Sequence, residues 1–162
     1  MRVCFRRVAV KDLRRLNDIV NDREVAKFIT LTPPVPLKET RDFFNRCRKE
    51  KIRWYAILTD GVVAGSISLH PQKGLKQAHV ASFGISLAKE FWGRGVGGRA
   101  LDFITEKARD LKIKRLELQV VADNARALKL YERNGFQKEG VRRKSFKTAG
   151  KYHDNILMAK LL

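Results

Sequence analysis

Four glycines fall within the seven residues Trp92-Gly93-Arg94-Gly95-Val96-Gly97-Gly98, just ahead of a stretch that carries Leu101, Ile104, Ala108 and Leu111 on one helical face. Glycine lets the main chain take positive φ and lets a ligand approach it closely. At a helix start the unpaired N–H groups and the positive end of the dipole suit a phosphate. Arg94 and Arg99 would add charge to such a site. Gly93, Gly95 and Gly98 also satisfy the dinucleotide pattern G-x-G-x-x-G, with Glu117 about the right distance beyond. Two features oppose that reading. The bulky polar stretch Lys89-Glu90-Phe91-Trp92 precedes the first glycine, where the dinucleotide fingerprint starts at the strand end, and only 64 residues follow Gly98. No Gly-Lys-Ser/Thr follows, so the pattern of a P-loop is absent.

Other residues with chemical capacity lie on either side. Tyr131 shares a helical face with Ala127 and Leu128, a spacing that suits core packing as well as a functional phenol. Glu117 and Gln119 point to the same side of a strand, because side chains repeat with period two. Glu90 stands just before the glycines. His70, His79 and His153 have no metal or triad spacing, and Cys4 and Cys47 match no zinc or dithiol pattern. No metal site is expected.

These residues need elements to position them. Val3-Phe5 reads as a first strand, and Leu13, Leu16, Ile19 and Val20 recur at helical spacing. The break Thr32-Pro33-Pro34-Val35-Pro36 leads to a second helix over about 37–50. Trp54 to Leu58 and Val62 to Leu69 read as strands joined by the hairpin turn Asp60-Gly61. Further strands are expected over about 78–87 and 116–121. Asn124 caps a short helix that stops at Asn134-Gly135, and two last strands fall near 136–143 and 151–161. The order is α+β: an antiparallel first half and one βαβ unit in the second, within a single domain over 1–162.

Composition narrows the function classes. The chain has 35 Lys+Arg against 17 Asp+Glu, a net charge of +18, so its field attracts anions. The basic residues are spread along the chain, and no RNA-binding aromatic signature or C2H2 spacing occurs. Any nucleic-acid or ribosome binding through this surface is expected to be incidental. No apolar run approaches the roughly 20 residues that span a bilayer, and the charged start Met1-Arg2-Val3-Cys4-Phe5-Arg6-Arg7 does not resemble a signal peptide. A soluble cytoplasmic protein, monomeric or homodimeric and without a membrane partner, is the expectation.

The segment Gly84-Ile85-Ser86-Leu87 … Trp92-Gly93-Arg94-Gly95-Val96-Gly97 resembles motif A, Q/R-x-x-G-x-G/A, of the GNAT N-acetyltransferase superfamily. About thirty residues on, Asn124-Ala125-Arg126-Ala127-Leu128-Lys129-Leu130-Tyr131-Glu132-Arg133-Asn134-Gly135-Phe136 resembles its second motif, N-x-x-A-x-x-x-Y-x-x-x-G-F. The tail Gly150-Lys151-Tyr152-His153-Asp154 … Met158 is similar to that of the Rim-type branch, which acetylates protein N-termini, and of its small-molecule relatives. Trp92 departs from the motif's Gln or Arg, as it often does in that branch.

The resemblance implies a mixed, mostly antiparallel twisted sheet of six to seven strands, flanked by about four helices and splayed between its two middle strands. It implies acetyl-CoA as acetyl donor and a primary amine as acceptor, either a peptide N-terminus or a small amino-acid-like molecule. The diphosphate would lie over Trp92, Gly93, Arg94, Gly95, Val96, Gly97 and Gly98. Ile85 and Leu87 would offer main-chain groups to the pantetheine arm, and Asn124 would help hold the cofactor. Tyr131 matches the family's general acid. The general base is less defined: Gln119 stands where Rim-type enzymes carry Glu, which leaves Glu117 and Glu90 as candidates. A noncatalytic CoA-binding sensor and a basic nucleic-acid-binding module are the rival expectations.

Overall fold

The computed structural model describes every residue from Met1 to Leu162. The elements run β1 (Val3–Arg7), α1 (Leu13–Asn21), α2 (Arg23–Ala26), α3 (Leu37–Lys49), β2 (Arg53–Thr59), β3 (Val62–Pro71), β4 (Val80–Leu87), α4 (Val96–Asp110), β5 (Arg115–Val121), α5 (Ala125–Arg133), β6 (Gln137–Thr148) and β7 (Lys151–Leu161). All seven strands join one sheet in the order β1-β2-β3-β4-β5-β7-β6. Every neighbouring pair is antiparallel except β4 and β5, which α4 connects. The fold is thus α+β, with five helices where the sequence suggests about four. The additional one, α2, is a single turn whose Asp22 side chain accepts from the Glu24 and Val25 N–H groups.

Alternation along the strands gives the sheet two faces. One buries Tyr55, Ile57, Ile67, Leu69, Phe83, Leu116 and Leu118 under α4, with Tyr131 and Phe136 completing that core. The other packs Trp54 and Ala56 against Leu13, Leu16 and Ile19 of α1 and Cys47 of α3. No helix is long and apolar enough to cross a membrane.

Three details place the centre of the sheet. The Asp60-Gly61 turn has positive φ at both residues (49° and 84°), the geometry of a two-residue hairpin. Beyond it β3 carries a bulge at Ala64, since Ile57 opposes Gly65 while Leu58 opposes Val63. Gly65 then passes so close to β4 that a Cβ there would stand 2.1 Å from the Ser86 carbonyl oxygen. β4 and β5, lastly, are in register only over Val80–Arg115, Ala81–Leu116 and Ser82–Glu117, so from Phe83 onward β4 leaves its neighbour.

Candidate active site

The parting of β4 from β5 exposes main chain in a defined way. The bonds from the Ala88 N–H to the Ala64 carbonyl and from the Gln72 N–H to the Val80 carbonyl set the phase of the β3–β4 ladder. Even-numbered residues of β4 bond to β3, so Phe83, Ile85 and Leu87 turn their N–H and C=O groups toward the gap. On the far side, the Ala122–Asp154 and Leu162–Lys114 bonds direct the main chain of Gln119 and Val121 into the same gap. Exposed polar main chain of this kind must be satisfied by water or a ligand. A cavity of about 660 Å³ fills the opening, lined by Ile85, Leu87, Trp92, Glu117, Gln119, Asn124 and Tyr131, among others.

The glycine run lies beside this cavity, and its glycines answer to different demands. Gly93 and Gly95 take φ of 73° and 77°, which any residue with a Cβ adopts only with strain. At Gly97 a Cβ would come within 2.9 Å of a terminal methyl of Leu130, a contact that a turn of that side chain can relieve. Gly98 faces open space. Two of the four glycines, Gly93 and Gly95, are therefore required by the chain's own geometry. Gly95 caps α4 and its carbonyl accepts from Arg99, which leaves the Val96, Gly97 and Gly98 N–H groups unpaired at the helix start. The Val96 side chain is completely buried and anchors that first turn, while Arg94 and Arg99 are exposed.

Trp92 supports the turn from inside. Its Nε1 donates to the Leu87 carbonyl at 2.8 Å, and the Arg126 guanidinium lies over its ring at 4.3 Å. The indole thus ties the glycine turn to the end of β4 and to α5. Leu87 keeps its N–H for a ligand, but its carbonyl is already occupied. Arg126, another cation at the cavity wall, was not singled out by sequence. The N-x-x-A spacing contained it, yet only the fold places it beside Trp92.

Tyr131 is almost fully buried, in edge contact with Phe83 (6.0 Å between centroids) and Phe136 (5.9 Å). Burial pushes its phenol up to about 12, so it stays protonated at any working pH. Asn124 caps α5 by accepting from the Ala127 N–H at 3.2 Å, which engages its oxygen and leaves its amide N–H groups available to the cavity.

The carboxylates are placed unequally. Glu117 lines the cavity, but the Arg115 Nε holds its Oε2 at 3.1 Å, and Arg115 also pairs with Glu139. Gln119 accepts from Arg142 at 2.9 Å. Glu90 sits in the turn after β4, bonded to Arg15 at 2.6 Å, and lines neither of the two principal cavities. Its own backbone N–H, and then Arg15, hold its carboxyl below the usual range.

A second cavity, of about 580 Å³, opens on the α1–α3 side of the sheet. Its floor is Ser66, Ser68 and His70 of β3 with Gly84 to Ser86 of β4, its wall includes Phe43 and Trp54, and its rim carries Glu39, Asp42 and Arg46. The two cavities share Ile29, Thr30, Gly84, Ile85 and Ser86, so they meet where β4 leaves β5. The sequence did not disclose this second cavity, because His70 and the serines lie on β3, a separate element from α3 with β2 between them in the chain.

A seven-stranded sheet in this order, parted beyond β4 beside a helix that starts on glycines, is the GNAT acetyltransferase fold. The family described as acetyltransferase (GNAT) domain matches residues 2–137, and the chain belongs to that family. An Escherichia coli K12 relative, the L-amino acid N-acetyltransferase AaaT, is 35% identical over 103 residues, which span 63% of this chain and 64% of that one. Among solved structures, the ribosomal-protein-alanine N-acetyltransferase of Brucella melitensis superposes with a TM-score of 0.87 at 23% identity, covering 98% of this chain and 99% of that one. The spermidine N-acetyltransferase of Vibrio cholerae, solved with CoA and spermine, gives 0.88 at 23% identity, covering 98% and 95%. The three named acceptors differ, so family membership alone leaves the amine open.

Proposed function

We propose that the protein transfers the acetyl group of acetyl-CoA directly to the primary amine of a small acceptor that also carries a carboxylate, through a ternary complex. The observation that carries this reading is the junction of two cavities at Gly84–Ser86. One has free main chain and a helix N-terminus for the donor; the other is a separate chamber for the acceptor. The diphosphate would rest on the Val96 to Gly98 N–H groups, with Arg94, Arg99 and Arg126 as nearby cations. The pantetheine arm would bond to Ile85 and to the Leu87 N–H, in place of the missing strand contacts.

Tyr131 is assigned to the departing sulfur. Its phenol near 12 is a poor acid against a thiol whose ordinary pKa is about 8.5. It therefore stabilises sulfur by hydrogen bonding as the C–S bond stretches, and transfers its proton once the thiolate is itself desolvated in the same cavity. For the acceptor, Arg46 at the rim is held over the Phe43 ring at 5.3 Å, where it can meet a carboxylate, while Glu39 on the same rim can meet the ammonium and Asp42 is taken by Lys38. The +18 net charge steers in the same sense, favouring an acceptor with an anionic group over a polycation.

The test is a thiol-release screen of L-amino acids, polyamines and short peptides under saturating acetyl-CoA. Turnover with carboxylate-bearing amines, weakened by Arg46→Ala, is expected. A preference for spermidine would overturn the acceptor assignment. Binding of acetyl-CoA without turnover on any amine would favour a sensor, and no binding would favour a nucleic-acid module.

A further inference from the structure

The acceptor chamber contains a buried titratable pair that the chemistry above leaves unused. Ser68 and His70 alternate on one face of β3, and the Ser68 Oγ lies 2.7 Å from the His70 Nε2. The same Oγ is 3.5 Å from the Gly84 carbonyl, at the β4 residue where the two cavities join. Ser68 is buried, and the His70 ring lies against Phe43 at 6.2 Å between centroids. The 2.7 Å contact can run in either direction: an Nε2–H can donate to the Oγ, which then donates to the Gly84 carbonyl, or the Oγ can donate to a bare Nε2 with the His70 proton on Nδ1. The relay below uses the second arrangement.

An amine arrives as its ammonium form and must lose a proton before attack. Glu117 and Glu90, the carboxylates nearest in sequence to the glycine loop and β5, are held by Arg115 and Arg15. From Ser68 and His70 we infer a proton relay for the acceptor: Ser68 faces the amine, and His70 behind it takes the proton. This rests on the acetyltransfer reading given above. The ammonium passes one proton to the Ser68 oxygen while the Ser68 proton moves to the His70 Nε2, leaving a neutral amine and an imidazolium. The amine lone pair forms the C–N bond, and the C–S bond breaks. The proton that Tyr131 gives to sulfur is replaced by the second one shed from nitrogen, and His70 returns its proton to water. Neutral imidazole is the form this needs. Burial, and then the Arg46 guanidinium, hold His70 below its ordinary value, with Glu50 opposing. Arg46 and Glu50, from α3 and its end, act on the ring; Glu39 and Asp42 of α3 line the same chamber, and Ser82 opposite on β4 carries no charge.

The experiment is a pH profile of acceptor kcat/KM from 5.5 to 9.5 for wild type, Ser68→Ala and His70→Gln, with the best amine of the screen and saturating acetyl-CoA. Expected are a loss of roughly 10²-fold near pH 7 in both variants, and in His70→Gln a rate that climbs about tenfold per pH unit as free amine replaces the relay. Acetyl-CoA affinity and thermal midpoint should hold. A loss equal at every pH, or no loss, overturns the relay while leaving acetyltransfer standing; absence of turnover on any amine overturns the acetyltransfer reading itself. Nitrogen-15 NMR of the imidazole needs no acceptor: a bare Nε2 that changes in Ser68→Ala is expected, and an Nε2–H tautomer refutes the pair's polarity.

Discussion

Replacing Tyr131 by Phe removes one oxygen and leaves the ring between Phe83 and Phe136. The packing is retained, so any loss belongs to the hydroxyl. A positioned proton donor contributes roughly 10²–10⁴-fold, or about 2.7–5.4 kcal/mol at 1.36 kcal/mol per decade. With the phenol pushed up to about 12, the donor is poorly matched to a thiolate, which puts the expected kcat loss at the low end, about 10²-fold. Stability gives an independent control. A phenol at about 10 unfolded and about 12 folded binds more protons in the native state between those values. Ionising the buried phenol therefore costs the folded state about 3 kcal/mol that the unfolded chain does not pay, a penalty absent below pH 10 and complete once pH has risen through 12. Tyr131→Phe should therefore match wild type in thermal midpoint at pH 7 and lose less stability in alkali. The assay is thiol release alongside a melt at each pH. An unchanged kcat in a folded variant would remove Tyr131 from the chemistry, and an unchanged alkaline melt would show that its hydroxyl is not desolvated.

Gly98→Ala adds a methyl to the first turn of α4, leaning toward the helix N-terminus, where it meets nothing in the protein. It should raise stability by up to about 1 kcal/mol while weakening acetyl-CoA binding measured by calorimetry; full affinity would place the diphosphate elsewhere. Gly95→Ala, by contrast, should cost about 1–2 kcal/mol because of its φ of 77°, so it tests the turn more than the ligand. Asp12 is buried and accepts from Arg6 at 2.6 and 2.8 Å and from the Ala9 N–H at 2.8 Å. The Arg6 hydrogen bonds, its largest cause, hold its carboxyl below the usual range, so the stability it adds is present above about pH 4 and lost as pH falls through its folded value. Asp12→Asn should cost about 1–2 kcal/mol at pH 7, allowing for the partly exposed Arg6, with the difference from wild type closing in acid in a urea titration.

The strands, the two longer N-terminal elements and the caps at Asn124 and Gly135 were legible because each rests on local periodicity or a turn residue. The single turn of α2 was not, since four residues around one Asp cap carry no period. The glycine loop was legible as a loop but not as a mixture of demands, because φ at Gly93 and Gly95 and the closeness of Leu130 to Gly97 exist only in three dimensions. Trp92 was read only as a departure from the motif among the residues under the diphosphate; its bond to Leu87 makes it a brace. Glu90 lay near the loop in sequence, and an arginine 75 residues away engages it. His70 carried no motif, and its meaning came from a serine two positions earlier and from β4 across the sheet.

The phase of the β3–β4 ladder has a consequence for how this protein can change. The gap is presented by the Ile85 amide and carbonyl and the Leu87 amide, which any residue but proline would supply, so under the proposed reading the donor's main-chain bonds do not depend on those side chains. What distinguishes one acceptor from another must then be written in the opposite chamber, in α3 and the even-numbered serines, where side chains and not the polypeptide itself form the surface. Under the proposed reading, divergence in taste can proceed on one face of the sheet while the donor is held in the gap between its two middle strands, β4 and β5.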